Sequence, residues 1–222
     1  MTILLGENPW ILISLTPLEL LFIFIPAFIT AKIEKTSFFT QLKNILLLKT
    51  EGYKLSKDSL REIILKILIG LILGAIFFLI GKYIFLFFRI IVENLFGTYF
   101  INHAEINAIS TQVFQPTVGQ IIILIILQFT IVALSEEGFF RSVLILKLSK
   151  KLKLVVSIII SSILFTLYHT PPFLVPISTI ITFFGYYFSL GLIFSLIFIF
   201  SHKSLLLVII CHGVYNMLFI IF

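Results

Sequence analysis

The chain has 222 residues, of which 60% are hydrophobic and only 12% are charged, and its mean hydropathy is +1.20. A soluble domain of this length is closer to half apolar and a quarter charged, so the composition excludes a soluble globular protein and indicates an integral membrane protein. The formal net charge of +6 does not indicate nucleic-acid binding, because the lysines lie in loops between apolar segments, where they set topology and contact anionic lipids.

The N-terminal part begins with a predicted span over residues 9–30. Residues 1–8 carry no Lys or Arg, so a retained span is favoured over a secretory signal peptide. Glu19 within it lies either near an interface or turned inward. Residues 31–62 are polar and basic, and Phe38, Leu42 and Ile45 recur at helical spacing. This pattern predicts either an amphipathic helix on the membrane surface or a solvated loop.

Residues 63–92 form an apolar stretch longer than the roughly 20 residues that one span needs. They are either one tilted helix or a span followed by a second piece. Gly70 and Gly74 match the small-xxx-small pattern of closely packed membrane helices. Residues 93–117 are polar without Lys or Arg, which predicts a loop with solvated side chains, among them His103 and Glu105.

The C-terminal part is predicted to contain four helices joined by short turns. They cover residues 118–148, 154–169, 173–200 and 204–222, and the second is ended by Thr170-Pro171-Pro172. The chain is therefore predicted to be an all-α polytopic membrane bundle of about six spans, or seven or eight if 63–92 or 173–200 is broken. Cys211, the single cysteine, excludes an intrachain disulfide and is predicted to be a small core residue.

The distribution of charge over the loops predicts the orientation of the bundle. Residues 31–62 and the turns 149–153 and 201–203 are basic, whereas residues 93–117 are not. Basic loops stay in the cytoplasm, so these three segments are predicted to be cytoplasmic. The short loops and the Ile- and Lys-rich composition favour a prokaryotic plasma membrane, and a eukaryotic internal membrane is the alternative.

The most informative stretch is Ser135-Glu136-Glu137-Gly138-Phe139-Phe140-Arg141, directly after an uncharged run. Ionisable residues inside a membrane segment are expensive and mark functional sites by default. On a helix, Glu137 and Arg141 stand at i,i+4 in the order that favours an ion pair. Glu136 points about 100° away from Glu137 around the helix axis, so it does not take part in this pair and is available for a separate function. The alternative is a structural ion pair that locks two helices.

Helix geometry predicts that further polar residues reach the depth of this stretch. Glu136 lies 15 residues before Lys151, and His169 lies 18 residues after it, so both are about 22–27 Å from the turn. His212 and Asn216 lie about 13–20 Å beyond the last turn and share a helix face. We therefore expect these residues to converge inside the bundle.

The chemistry of this set points to hydrolysis. A carboxylate beside a His can deprotonate a water, and a second His with an Asn can donate to an oxyanion. No Ser or Cys has a plausible base, so a covalent nucleophile is not indicated. Glu136, His169 and His212 could instead hold a zinc ion, although no HExxH spacing is present.

Four patterns carry a resemblance to a known family. Glu136-Glu137-x-x-x-Arg141, Phe165-x-x-x-His169 and His212-x-x-x-Asn216 resemble the signature motifs of the CAAX-protease and bacteriocin-processing family of intramembrane proteases, often called the Abi family. Phe188-x-x-Gly191-x-x-x-Ser195 is similar to its glycine-containing motif, with Ser in place of the commoner second Gly. The resemblance covers about residues 118–222. It divides one integrated bundle into an N-terminal membrane segment with a cytoplasmic amphipathic loop, 1–117, and a CAAX-protease-like catalytic core, 118–222.

The resemblance implies endoproteolysis within or beside the membrane. By analogy to type II CAAX prenyl proteases, Glu136 and His169 activate the water. His212 and Asn216 then form the oxyanion hole, and Glu137 with Arg141 orients the site. We favour the metal-free glutamate mechanism, because a buried carboxyl beside a His is a plausible base; zinc is the alternative.

Expected partners are membrane lipids and a membrane-associated protein or peptide, prenylated or not, with no nucleic acid. Two non-proteolytic functions stay open. The first is a non-catalytic membrane scaffold or bacteriocin self-immunity protein in which the polar cluster is structural. The second is a proton-relay transporter, which the lack of an inverted repeat disfavours.

Overall fold

The computed structural model describes residues 8–47, 60–108 and 116–222. These residues form eight helical segments and no strand, namely α1 Pro9–Glu34, α2 Phe38–Leu47, α3 Leu60–Phe96, α4 Thr98–Ile106, α5 Val118–Leu148, α6 Leu154–His169, α7 Ile177–Phe200 and α8 Leu205–Ile221. Helices α1, α3, α5 and α7 are long and apolar enough to cross a membrane, and α6 and α8 are shorter apolar helices. The prediction of an all-α polytopic membrane protein is confirmed.

The two stretches of uncertain span number are each one unbroken helix. Helix α3 runs for 37 residues and α7 for 24 residues. Six apolar helices therefore make up the bundle within the described residues. Helix α6 has 16 residues and is about 24 Å long, which is shorter than the roughly 30 Å hydrocarbon core of a bilayer.

The glycine pattern of α3 is used for close packing against α8. A Cβ atom on Gly74 would lie 2.6 Å from the carbonyl oxygen of Cys211, and one on Gly70 would lie 2.9 Å from the Ile210 side chain. The two backbones approach one another because neither glycine carries a side chain. Cys211 is fully buried in this contact, in agreement with its predicted place in the core.

Helix α2 confirms the helical alternative for the basic segment. Its Ile45 side chain is buried, and the Ser142 hydroxyl of α5 donates to the Ile45 carbonyl oxygen over 2.7 Å. Lys147 of α5 forms an ion pair with Glu34 at the end of α1, with 3.1 Å between the charged atoms. The apolar side of α2 thus packs against the bundle. Residues 48–59 of the predicted segment lie outside the described residues.

The prediction that residues 93–117 form a loop is wrong for α4, while residues 109–115 lie outside the described range. Helix α4 starts after Gly97, whose φ of +84° lets the chain turn sharply away from α3. Its Glu105 accepts from Arg89 over 2.7 Å, and its His103 lies 2.9 Å from the hydroxyl of Ser178. Both side chains hold α4 against neighbouring helices, which explains the polar composition.

Candidate active site

The site is built on an irregular part of α5. Two stretches of π-helix, Gln128–Val132 and Gly138–Ile145, flank the short α-helical piece Ala133–Glu137. A π turn widens the helix by one residue and rotates the side chains that follow, and such turns often lie at functional sites. Both adjacent carboxylates are turned inward, with Glu136 3% exposed and Glu137 fully buried. The sequence contains no signal for these two turns.

Glu137 is the centre of a buried charge cluster. Its Oε2 atom lies 2.9 Å from Arg141 Nε, and both side chains are fully buried. The Arg141 guanidinium also lies over the ring of Phe165 at 4.9 Å and over that of Phe194 at 5.5 Å. A buried charge needs a partner of opposite sign, and the aromatic faces add a favourable cation–π contact. The predicted ion pair is present.

Glu137 also orients His212. Its Oε1 atom lies 2.7 Å from His212 Nδ1, and the Phe194 ring stacks on the imidazole with 4.8 Å between centroids. Because an ionised carboxylate only accepts, the proton of this hydrogen bond sits on Nδ1. The other ring nitrogen is then an acceptor in the neutral ring and a donor when the ring carries both protons.

Glu136 and His169 form a second pair. Glu136 Oε2 lies 3.9 Å from His169 Nε2, which is beyond direct hydrogen-bond distance. His169 Nδ1 lies 3.0 Å from the carbonyl oxygen of Phe165. Since a carbonyl only accepts, Nδ1 carries the proton and Nε2 of the neutral ring is an acceptor. Two acceptors from α5 and α6 therefore face each other.

Asn216 is oriented by a residue that the sequence analysis did not select. Its amide nitrogen donates to Gln128 Oε1 over 2.9 Å. Gln128 lies eight residues before Glu136 in the mostly apolar run 121–134, where it is the only amide side chain. An amide in such a run is the signal that could have identified it. Asn216 keeps its second amide proton for another acceptor.

The N-terminal helix α1 also contributes to the site. The Tyr168 hydroxyl donates to the Glu19 carboxylate, and the Phe22 ring contacts the Tyr168 ring edge-on at 4.8 Å. Of the two positions considered for Glu19, the inward one is therefore correct. Tyr168 precedes His169 directly, so α1, which lies outside residues 118–222, reaches the level of His169 in the bundle.

These side chains surround a cavity of about 1110 Å³. Its polar lining groups include Glu19, Gln128, Glu136, His169, His212 and Asn216. Aromatic residues make up much of the remaining lining, among them Phe85, Phe183, Tyr186 and Tyr187. A largely apolar cavity with a few convergent polar groups is typical of ligand sites.

The structure thus brings all six predicted site residues together in two layers. Glu136, His169, His212 and Asn216 line the cavity. Glu137 and Arg141 lie behind the lining, where Glu137 contacts both Arg141 and His212. The proposed zinc ligands fit less well. Among the described residues no three His, Cys, Asp or Glu side chains are grouped to hold one ion, and His212 Nδ1 already contacts Glu137. We derive no step through a metal.

Comparison with known proteins finds one similar family. Residues 118–218 match the model of the family described as Type II CAAX prenyl endopeptidase Rce1-like. Comparisons with curated proteins and with solved structures give no match. The matched residues include α5, α6 and α7 and nearly all of α8, and they carry all six predicted site residues. Residues 118–218 are therefore similar to the Rce1-like family of type II CAAX prenyl endopeptidases.

Proposed function

We propose that the chain is an intramembrane endopeptidase that hydrolyses a peptide bond of a membrane-associated protein or peptide. The observation that carries the proposal is the 3.9 Å approach of Glu136 Oε2 and His169 Nε2 at the wall of the cavity. Both atoms are acceptors, so one water can donate a proton to each of them. A water held in this way has a lone pair directed away from the pair and toward a substrate carbonyl.

Glu136 is the general base of the proposed reaction. It removes a proton from the water as the water oxygen forms a bond to the carbonyl carbon of the substrate. His169 holds the second proton and fixes the angle of attack, because its own ring is fixed by the Phe165 carbonyl. The product of this step is a tetrahedral oxyanion and a protonated Glu136.

His212 and Asn216 stabilise the oxyanion. His212 donates to the oxyanion through Nε2, while Glu137 holds the ring in place at Nδ1. Asn216 donates the amide proton that Gln128 does not accept. Preorganised donors of this kind typically contribute 10²–10³ in rate each. Glu136 then returns its proton to the leaving nitrogen, and the C–N bond breaks to give a carboxylic acid and an amine. The acid transfers its proton to the amine, so the products leave as a carboxylate and an ammonium group.

The substrate class follows from the lining of the cavity. Aromatic side chains beside the polar groups suit an apolar chain next to a peptide, as in a prenylated CAAX segment, and the family match points to the same class. We propose that the protein acts in a prokaryotic plasma membrane with its basic turns in the cytoplasm. The favoured mechanism requires no cofactor.

The test compares membranes that contain equal amounts of wild-type protein, Glu136→Gln or Glu34→Gln. Glu34 lies outside the cavity and is the matched control. Terminal-peptide mass spectrometry should find new termini with wild type and Glu34→Gln and none with Glu136→Gln. Cleavage that persists in a chelator supports the metal-free mechanism. Identical termini in all three membranes would overturn the protease and favour a scaffold or immunity protein.

A further inference from the structure

Glu19 is a cavity residue that no motif of the family includes. It belongs to α1, outside residues 118–218, and lines the same cavity as Glu136. One of its carboxylate oxygens, Oε1, accepts from the Tyr168 hydroxyl. The other, Oε2, is buried and has no hydrogen-bond partner among the described residues.

The surrounding structure keeps this oxygen in place. Glu19 lies in the 3₁₀ stretch Thr16–Leu20, which has Pro17 in its first turn. Tyr168 is in turn held by the rings of Phe22 at 4.8 Å and Phe140 at 6.1 Å. A carboxylate fixed on one side cannot turn fully to solvent, and leaving a buried acceptor unpaired is costly.

The chemistry of Oε2 restricts what can bind there. A carboxylate oxygen takes donors and repels the carbonyl oxygens of a peptide. Lys82 also lines the cavity, but it forms no ion pair with Glu19 in the described part of the chain. An extended peptide offers one N–H group per residue, so a substrate beside Glu136 brings the donor that Glu19 lacks.

We propose that Glu19 is a substrate-binding residue whose Oε2 accepts the backbone N–H of one residue near the scissile bond. Tyr168 holds the carboxylate in the orientation that this contact requires. The inference rests on the proposed protease function and deepens it. Glu19 fixes the register of the peptide, so the preferred cleavage site has an unsubstituted amide at one defined position.

The experiment uses synthetic peptides that span the cleavage site mapped in membranes, each with one backbone amide N-methylated. Kinetics are measured with the full-length wild type, Glu19→Leu and the control Glu34→Leu, which changes the same helix outside the cavity. A hydrogen bond to a charged group corresponds to roughly 10- to 100-fold in affinity. We expect N-methylation at one position to lower wild-type kcat/KM by about that factor, mainly through KM.

Glu19→Leu should lower kcat/KM for the unmodified peptide by a similar factor. N-methylation at that one position should not lower the kcat/KM of Glu19→Leu further, because the contact is already lost. N-methylation at the other positions should affect Glu19→Leu as it affects the wild type. If Glu19→Leu unfolds at a lower temperature than wild type, Glu19→Gln replaces it. Gln keeps the shape and an acceptor for Tyr168 but presents an amide NH₂ to the substrate, so the same pattern is expected.

Two results would overturn the inference and leave the proposed function intact. One is an unchanged kcat/KM in Glu19→Leu while Glu136→Gln remains inactive. The other is an equal loss in Glu19→Leu on every peptide, including the N-methylated ones, which is the sign of a structural role. Failure of the wild type to cleave any peptide would overturn the proposed function together with this inference.

Discussion

Arg141→Met tests whether the charge cluster behind the cavity is as buried as the structure describes. Arg141 and Glu137 are fully buried, with 2.9 Å between Nε and Oε2. Removing one partner of a buried ion pair typically destabilises a protein by about 3–5 kcal/mol, because the other charge is left uncompensated. His212 remains 2.7 Å from Glu137 and offsets part of the loss. We therefore expect a destabilisation of about 3 kcal/mol.

The chain contains a matched exposed pair for comparison. Lys147 and Glu34 are 45% and 46% exposed, with 3.1 Å between their charged atoms. Exposed pairs contribute about 0–1 kcal/mol, so Lys147→Met should change the stability by less than about 1 kcal/mol. The double variant Arg141→Met with Glu137→Gln removes both buried charges. The Gln side chain keeps an oxygen that can accept the hydrogen bond from His212. It should recover most of the stability that Arg141→Met loses.

The assay is equilibrium unfolding of the purified protein in mixed detergent micelles. The fraction of denaturing detergent is raised while circular dichroism reports the helix content. All four proteins are measured under the same conditions, and the free energies of unfolding are compared as differences. Two results would refute the reasoning: an Arg141→Met protein within about 1 kcal/mol of wild type, or a double variant less stable than the single one.

Two further variants test packing and positioning. Gly74→Ala places a Cβ atom 2.6 Å from the Cys211 carbonyl oxygen, so thermal unfolding should show a loss of stability of about 1–3 kcal/mol. The control Gly119→Ala, whose Cβ meets nothing within 4 Å, should show no loss. Equal stabilities of the two variants would contradict the close contact of α3 and α8. Gln128→Leu removes the partner of Asn216, so kcat in the peptide assay should fall roughly 10- to 100-fold with little change in KM. An unchanged kcat would mean that Gln128 does not orient Asn216 for catalysis.

The depth of the polar residues in the bundle could be predicted because few backbone structures are stable in a lipid bilayer. Spanning segments must be helical to satisfy their backbone groups, so a residue count from a turn converts directly to a distance. That arithmetic placed Glu136 and His169 at one level, and Glu136 Oε2 lies 3.9 Å from His169 Nε2. The cost of burying charge similarly indicated that Glu137 and Arg141 would form a pair.

The contacts between distant helices could not be predicted in this way. Tyr168 and Glu19 are 149 residues apart, and Gln128 and Asn216 are 88 residues apart. Spacing along one helix does not determine which faces of two helices meet. The two π turns of α5 also lack a residue signature, although they set the direction of the side chains around Glu136.

Helix α4 shows how polarity can mislead. Residues 93–117 resemble a loop because most of their side chains are polar, yet Arg89 and Glu105 satisfy each other between two helices. The buried face of α4 consists of Ile101 and Ala104. Two residues are too few for a helical periodicity to be recognised in the sequence. Polar side chains that contact other side chains give the same sequence signal as polar side chains in water.

The distribution of donors and acceptors in the cavity is the strongest argument that the site binds a peptide. Glu137 is compensated by Arg141 and His212, whereas Glu19 and Glu136 have no Lys or Arg within ion-pair distance among the described residues. Uncompensated acceptors favour a ligand that brings donors, and Asn216 offers a proton to an acceptor. A peptide and a water supply both kinds of group. In the proposed site, the side that accepts the peptide N–H depends on Glu19 of α1, which lies outside residues 118–218.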